Sequence, residues 1–252
     1  MLRDYQIEMK TRLMEAWKAH RSVMVQMPTG TGKTHLLASV VSEFVSSAGS
    51  GVWLIAHRRE LVAQMEETLA KYGIRREDTP VRVMSVQWLS RHWNEVGDAP
   101  GLIVIDEAHH ALAASYTEMW KRYSAATKLG VTATPCRLNS RGFTELFEVL
   151  VTSWSIAEFI EKGVLSVFDY VSIRPGSEEQ RLIDGLEKRG ADGDYQVKEM
   201  DAVLNRRPGI ERLYRSVRQF ASGKKGMVYA ISIEHARRIA EYYSRRGVNA
   251  VA

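Results

Sequence analysis

The chain has 252 residues, 45% hydrophobic and 26% charged, a balance that supports one or two domains with a buried core and excludes a disordered chain. A single cysteine excludes a disulfide framework within the chain and a multi-cysteine zinc site, and fits a reducing compartment. A formal charge of +5 is compatible with a polyanion partner, but no basic block or tail stands out, so a nucleic-acid surface has to be assembled by folding.

The opening Met1-Leu-Arg-Asp-Tyr-Gln6 is charged at once and has no signal-peptide core. No apolar stretch approaches the ~20 residues that span a bilayer, so the chain is expected in the cytoplasm. Short, almost wholly apolar, β-branched runs predict buried parallel strands at Val23–Met27, Val52–Ala56, Val81–Val86, Leu102–Ile105 and Leu129–Thr132. Helical periodicity fills the gaps: Leu36, Leu37, Val40, Val41 and Phe44 share one face, as do Leu61, Met65, Leu69 and Tyr72. Alternation of this kind predicts an α/β fold, a parallel sheet covered by helices on both faces, with ligands at the carboxyl ends of the strands.

After Pro135 helical segments are expected over 142–162, followed by a strand-like Val167–Ile173. A polar stretch with glycines at 185, 190 and 193 reads as a mobile connection. Ile210, Leu213, Tyr214, Val217 and Phe220 mark an amphipathic helix. Met227–Ile231, a helix over 234–245 and Val248–Ala252 then read as strand, helix and strand. The boundary between a first domain, 1–165, and a second, 166–252, is placed here. The last run ends as an unfinished sheet edge, which suggests a fragment of a longer protein.

Residues 28–34, Pro-Thr-Gly-Thr-Gly-Lys-Thr, lie between the first strand and the first long apolar helix that follows it. Strand, glycine-rich turn and helix in that order make a phosphate-binding loop. Gly30 and Gly32 allow the sharp turn, and the backbone N–H groups of Thr29 to Thr34, Thr31 among them, face an anion at the positive end of the helix. Lys33 is placed to reach the β- and γ-phosphates, and the Thr34 hydroxyl to hold Mg²⁺. The strict pattern has glycine where this chain has Met27. A second signal supports the first: Asp106-Glu-Ala-His109 closes another apolar strand. Asp106 can hold Mg²⁺ through water while Glu107 orients and deprotonates an attacking water. A zinc reading of His109 and His110 fails on spacing, since neighbouring histidines do not share a helix face and no cysteine pair assists.

These residues resemble the superfamily-2 helicases and translocases along the whole chain, and within them the DEAD/DEAH-type DNA motors related to RadD and to restriction-enzyme motor subunits. The matches run in family order. Leu2-Arg-Asp-Tyr-Gln6 is similar to the adenine-reading Q motif, residues 28–34 to motif I, Ala56–Gln64 to motif Ia and Ser85-Val-Gln87 to motif Ib. Asp106–His109 is similar to the DEAH box, Thr132–Pro135 to motif III and Val228–Ala236 to motif IV. The resemblance implies a RecA-like ATP-binding domain followed by an incomplete second RecA-like domain, with ATP and Mg²⁺ as cofactors. It also implies roles: Arg3 and Gln6 on the adenine, and His109 sensing the γ-phosphate. Thr132 and Thr134 would couple nucleotide state to nucleic acid. His57, Arg58, Arg59, Gln64, Ser85 and Gln87 would contact the nucleic-acid backbone in the first domain, and Ser232 and His235 in the second.

Each assignment has a plainer counterpart: Gln6 as a polar residue opening a helix, the basic turn at 57–59 as solvated surface, the two threonines as strand-ending hydroxyls. The six tryptophans read as core or interface, with base stacking an alternative for Trp88 or Trp93. Cys136 has no activating partner in the sequence. The chain lacks the family's motifs V and VI, including an arginine worth roughly 10³–10⁵ in rate, so this fragment is expected to bind ATP–Mg²⁺ but hydrolyse it weakly or not at all. The expected activity of the parent is an ATP-driven motor on DNA. An RNA helicase, or an ATP-gated nucleic-acid-binding module without productive catalysis, is the alternative. Thr-Ala-Thr in place of Ser-Ala-Thr in motif III favours DNA.

Overall fold

The fold is that of a computed structural model describing residues 2–57, 59–110, 114–135, 143–172, 174, 176–190 and 194–252. It divides into two compact units, Met1–Phe168 and Asp169–Ala252.

The first unit is built on a six-stranded, wholly parallel sheet. Its strands are β1 (Ser22–Gln26), β2 (Val52–Ala56), β3 (Val81–Ser85), β4 (Leu102–Asp106), β5 (Thr127–Thr132) and β6 (Val149–Thr152). Their order in space is β3-β2-β4-β5-β1-β6. Near-continuous apolar runs form these strands because both faces are covered. On one face Val23, Val25, Leu54, Val104 and Val131 pack under α1 (Asp4–Ala19), α2 (Lys33–Ala48) and α3 (Glu60–Ala70). On the other, Met24, Trp53, Ile55, Ile103 and Ile105 pack with α4 (Val86–Leu89) and α5 (Ala114–Arg122). In α1, Tyr5, Met9 and Leu13 recur every fourth residue and are all buried, so a single stripe docks the helix. Leu61 and Tyr72, expected on the buried face of the third helix, are exposed; Met65 and Leu69 carry its packing.

One strand was not expected. Residues 149–152 lie within the segment read as helix, and they form β6, which extends the sheet beside β1 with Val23 opposite Val149. Val149-Leu-Val-Thr152 is too short for periodicity to separate strand from helix, and the free edge of β1 decides the matter. The helix that follows, α6 (Ile156–Glu161), starts at Ser155 with a reciprocal cap: Glu158 N–H donates to Ser155 Oγ, and Ser155 N–H to Glu158 Oε2.

The second unit contains α7 (Glu178–Asp184), α8 (Val197–Leu204), α9 (Arg207–Phe220) and α10 (Ile233–Ser244). Its small core centres on Ile210, Ile239 and Tyr243. Here the expectations need correction. Helix α7 ends just before Gly185 and is capped by Ser177 Oγ accepting Gln180 N–H, and Gly193 lies outside the described residues. Val167–Val171 forms no strand and is exposed, and Ile173 lies outside the described residues. Met227–Ile231 and Val248–Ala252 flank α10 without pairing, and Met227, Tyr229 and Val251 are exposed. β-Branched composition makes a segment fit a sheet, but a ladder needs a neighbouring strand, and the described residues supply none there. Among the described residues no helix is long and apolar enough to cross a membrane.

Candidate nucleotide site

The loop at 28–34 leaves the carboxyl end of β1 and turns into α2. Gly30 (φ +85°) and Gly32 (φ +79°) occupy left-handed backbone that side chains rarely adopt, and Gly32 caps α2. Thr31 is buried, and its hydroxyl donates to the Pro28 carbonyl at 2.7 Å. Met27 N–H donates to the Thr132 carbonyl, tying the loop's entrance to β5. Among the described residues, the N–H groups of Gly30, Gly32, Lys33 and Thr34 donate to no backbone carbonyl. A helix start with unfilled donors and Lys33 in its first turn has the chemistry to hold an anion. Thr29 and Thr34 are exposed at its rim.

Gln6 sits differently from the expectation that its amide faces an adenine edge. It is buried, and its Nε2 donates to the carbonyls of Thr31 (3.1 Å) and Gly32 (3.2 Å) while Oε1 accepts the Arg3 N–H (2.9 Å). Tyr5 donates its hydroxyl to the same Thr31 carbonyl at 2.9 Å. Carbonyls on the back of the tight loop need donors once water is excluded, and the first turn of α1 brings two. Both Gln6 donor hydrogens are therefore spent on holding the loop, and the Arg3 side chain is exposed. Gln6→Ala is expected to lower the stability of this unit by about 1–3 kcal/mol, the cost of leaving buried acceptors unmet. Urea unfolding followed by tryptophan fluorescence checks this, and an unchanged midpoint would show that the Gln6 bonds to the Thr31 and Gly32 carbonyls add nothing to stability.

The acidic motif lies at the carboxyl end of β4. Asp106 Oδ1 accepts the Glu107 N–H at 2.9 Å. Burial raises the Asp106 carboxyl above its ordinary range and the Glu107 charge adds to this, while the Glu107 N–H, Lys33 and His109 oppose it. The two motifs leave the carboxyl ends of β1 and β4, which only β5 separates, and Lys33 is among the charges acting on Asp106. Glu107 has φ +50°, the one non-glycine in the left-handed region among the described residues. Such strain persists where the surroundings over-determine it, and it clusters at functional sites.

From Glu107 a chain of polar contacts crosses to β5. His109 Nδ1 lies 3.3 Å from Glu107 Oε2 and 2.9 Å from Thr132 Oγ1. Thr132 is fully buried, and its hydroxyl accepts the Thr134 N–H at 3.1 Å. Gln26, at the end of β1, donates to the Ala133 carbonyl at 3.4 Å. Sheet register aligns these groups: Asp106 is opposite Val131, and Gln26 opposite Thr132. The strand bearing Thr132 thus lies between the strand of the phosphate loop and that of the acidic motif. The side chain of His110, and Cys136 entirely, lie outside the described residues.

The residues expected on nucleic acid divide. Arg59 and Gln64 are exposed, His57 is half-buried, and Arg58 lies outside the described residues. Ser85 is buried and caps α4 by accepting the Trp88 N–H, and Gln87 Nε2 donates to the His57 carbonyl at 2.7 Å. Both therefore hold the local backbone. In the second unit, Ser232 caps α10 and donates to Asp201 Oδ1, while His235 Nδ1 accepts the Ile231 N–H at 3.4 Å. Burial pushes the His235 imidazole below its ordinary pKa, with Arg238 acting the same way and Asp201 against it. Sequence reasoning missed Tyr5 as a loop-holding residue, and Lys128, a buried lysine on β5 whose Nζ donates to the Ala126 carbonyl at 2.8 Å.

Residues 1–137 match the family model described as type III restriction enzyme, res subunit. Over 230 residues the chain is 26% identical to a 51.5 kDa protein of Lactococcus phage (isolate 7-9), covering 90% of this chain and 48% of the relative. Over 205 residues it is 28% identical to the DNA 3'-5' translocase XPB2 of Sulfurisphaera tokodaii, covering 75% of this chain and 44% of that one. The chain thus spans about half the length of the curated relatives it matches. Among solved structures, a fragment described as an HsdR subunit of a type I restriction enzyme from Vibrio vulnificus YJ016 has a TM-score of 0.64 at 17% identity, covering 98% of this chain and 45% of the other. At that identity the likeness establishes the fold alone. With more than half of its length matched by the family model, the chain belongs to the type III restriction enzyme res-subunit family and is a superfamily-2 helicase-like protein.

Proposed function

We propose that this chain carries the ATP-binding core of a nucleic-acid motor, a helicase or translocase acting on DNA. The observation that carries this reading is the placement of the phosphate loop, the acidic motif and the Glu107–His109–Thr132–Thr134 network at the carboxyl ends of three adjacent strands. The names of the relatives, a DNA 3'-5' translocase among them, support DNA as the track. In this reading residues 1–165 form the ATP-binding RecA-like domain and 166–252 begin the second, and the division after Phe168 supports that boundary.

The phosphates of ATP lie in the cradle of N–H groups at 30 and 32–34, with Lys33 on the β- and γ-phosphates. Glu107 accepts a proton from the attacking water as it bonds to the γ-phosphorus, and ADP leaves with the electron pair of the broken P–O bond. His109, in contact with both Glu107 and Thr132, registers whether the γ-phosphate is present. Thr132 and Thr134 carry that state along the loop after β5. The donors present suit Mg²⁺: a hydroxyl and a carboxylate, Thr34 and Asp106, which fits a hard ion that takes few protein ligands and completes its shell with phosphate and water. When bound, the ion neutralises charge on the phosphates.

The test is binding of a fluorescent ATP analogue with Mg²⁺ by this chain, and hydrolysis by the full-length protein with and without single-stranded and duplex DNA. Saturable binding together with DNA-stimulated hydrolysis supports the proposal; stimulation by RNA alone would replace DNA as the track. Thr132→Val is expected to keep nucleotide binding but to lose most of the stimulation by DNA, because the hydroxyl that joins His109 to Thr134 is gone. Stimulation equal to that of the parent would remove the threonine from the coupling path.

A further inference from the structure

One tryptophan is misplaced for a core residue. Trp17, Trp53, Trp120 and Trp154 pack into the first unit, and Trp93 lies against Tyr123 with the Arg122 guanidinium 5.2 Å from its ring. Trp88 is 43% exposed, though it stands one residue from the fully buried Leu89. The His92 ring stacks on its indole at 4.5 Å and 9° between planes, and His92 Nδ1 lies 2.7 Å from the Trp88 carbonyl. An exposed aromatic plane backed by a second ring offers a stacking surface.

Trp88 lines a cleft of about 940 Å³ between α3 and the β3–α4 segment, near the upper end of the range that encloses a compact ligand. Arg59, Arg76 and Arg91 also line it, each exposed and without an ion pair among the described residues. Glu66 is the acidic residue of the lining, so the cleft is strongly positive. Guanidinium groups around an aromatic plane suit a ligand that has both phosphates and flat rings.

We infer that this cleft is a base-stacking subsite for single-stranded nucleic acid: an unpaired base lies on Trp88, backed by His92, while Arg59, Arg76 and Arg91 meet the neighbouring phosphates. The inference rests on the nucleic-acid reading above and deepens it, because it specifies an unstacked strand and a contact with bases. A duplex keeps its bases stacked on one another and cannot offer one to Trp88 without unpairing. Every base has a π-face, so the subsite is indifferent to sequence.

The test uses the full 252-residue chain at one stated salt concentration, with a fluorescein-labelled 20-nucleotide single strand, its duplex, and the same strand carrying 2-aminopurine. Trp88→Ala is expected to weaken single-strand binding about 5- to 150-fold, the value of one base–aromatic stack. It should leave duplex binding unchanged and abolish the change in 2-aminopurine emission on binding. Trp88→Phe should retain most of the affinity, which separates loss of the ring from loss of the fold. Arg91→Ala should lower the slope of log affinity against log salt by about one. Single-strand binding and 2-aminopurine emission unaffected by Trp88→Ala would overturn the subsite and leave the motor reading standing. A chain that binds neither strand would overturn the nucleic-acid reading, and the subsite with it. Displacement of the strand by polyglutamate of equal charge with the 2-aminopurine signal already absent would show a general polyanion groove.

Discussion

Lys33→Ala is expected to abolish DNA-stimulated hydrolysis by the full-length protein and to weaken ATP–Mg²⁺ binding by this chain at least tenfold. Glu107→Gln should leave binding little changed and cut hydrolysis by about 10²–10⁴. The difference follows from placement. Lys33 is the cation of a cradle whose other donors are backbone N–H groups, so its removal weakens both ground-state binding and charge stabilisation in the transition state. Glu107 has φ +50° and its carboxylate 3.3 Å from His109; in the proposed mechanism it faces the attacking water and not the phosphates. A fluorescent-ATP titration with a phosphate-release assay separates the two. Equal loss of binding in both variants would mean that Glu107 holds nucleotide, and unimpaired hydrolysis in Glu107→Gln would remove it as the base.

Gly130→Ala should destabilise the first unit by about 1–3 kcal/mol or more, although alanine is the smallest possible change. Gly130 lies in the middle of β5, opposite Met24 on one side and Ile105 on the other. A Cβ there would stand 2.5 Å from Phe147 Cζ and 2.8 Å from the Ala108 Cβ, closer than such atoms approach. Ala108 is fixed in the turn that carries His109, so the strain passes to the site as well as to the core. A displacement of about 1 Å there is enough to cost 10²-fold in rate. All six tryptophans are in the first unit, so their fluorescence during urea unfolding reports on that unit alone. An unchanged midpoint in Gly130→Ala would show that Phe147 can move aside, and the close packing of the acidic turn on β5 would no longer explain the glycine.

The β-branched runs show how far composition reaches. Val52–Ala56 was legible to the residue, because a buried central parallel strand tolerates almost no polar side chain and stops where its backbone leaves the sheet. Val167–Val171 and Met227–Ile231 look similar in sequence and form no strand. Strand formation is a property of pairs, and a run of four or five residues does not reveal whether a neighbour exists. The same limit hid β6, whose partner β1 lies more than a hundred residues earlier. Gln6 shows a different limit. An amide can meet an adenine or a carbonyl equally well, and the choice depended on Thr31 and Gly32, some twenty-five residues away.

By itself the sequence determined the local chemistry. Two glycines in a strand-to-helix turn, a lysine and threonine at the helix start, and adjacent carboxylates ending an apolar strand are short-range arrangements, fixed by backbone sterics and by the unfilled donors of a helix terminus. The tertiary structure decided which of these stand together. It inserted β5 between β1 and β4, so that Thr132 lies between the phosphate loop and the acidic motif and bonds His109. It turned Ser85, Gln87 and Ser232 into backbone anchors, and left Trp88 outside beside three arginines. The physical reason is that sequence spacing controls neighbours within a turn of helix or a few residues of strand. Strand order, and the partner that each polar group finds, are set by the burial of the whole sheet between two layers of helices.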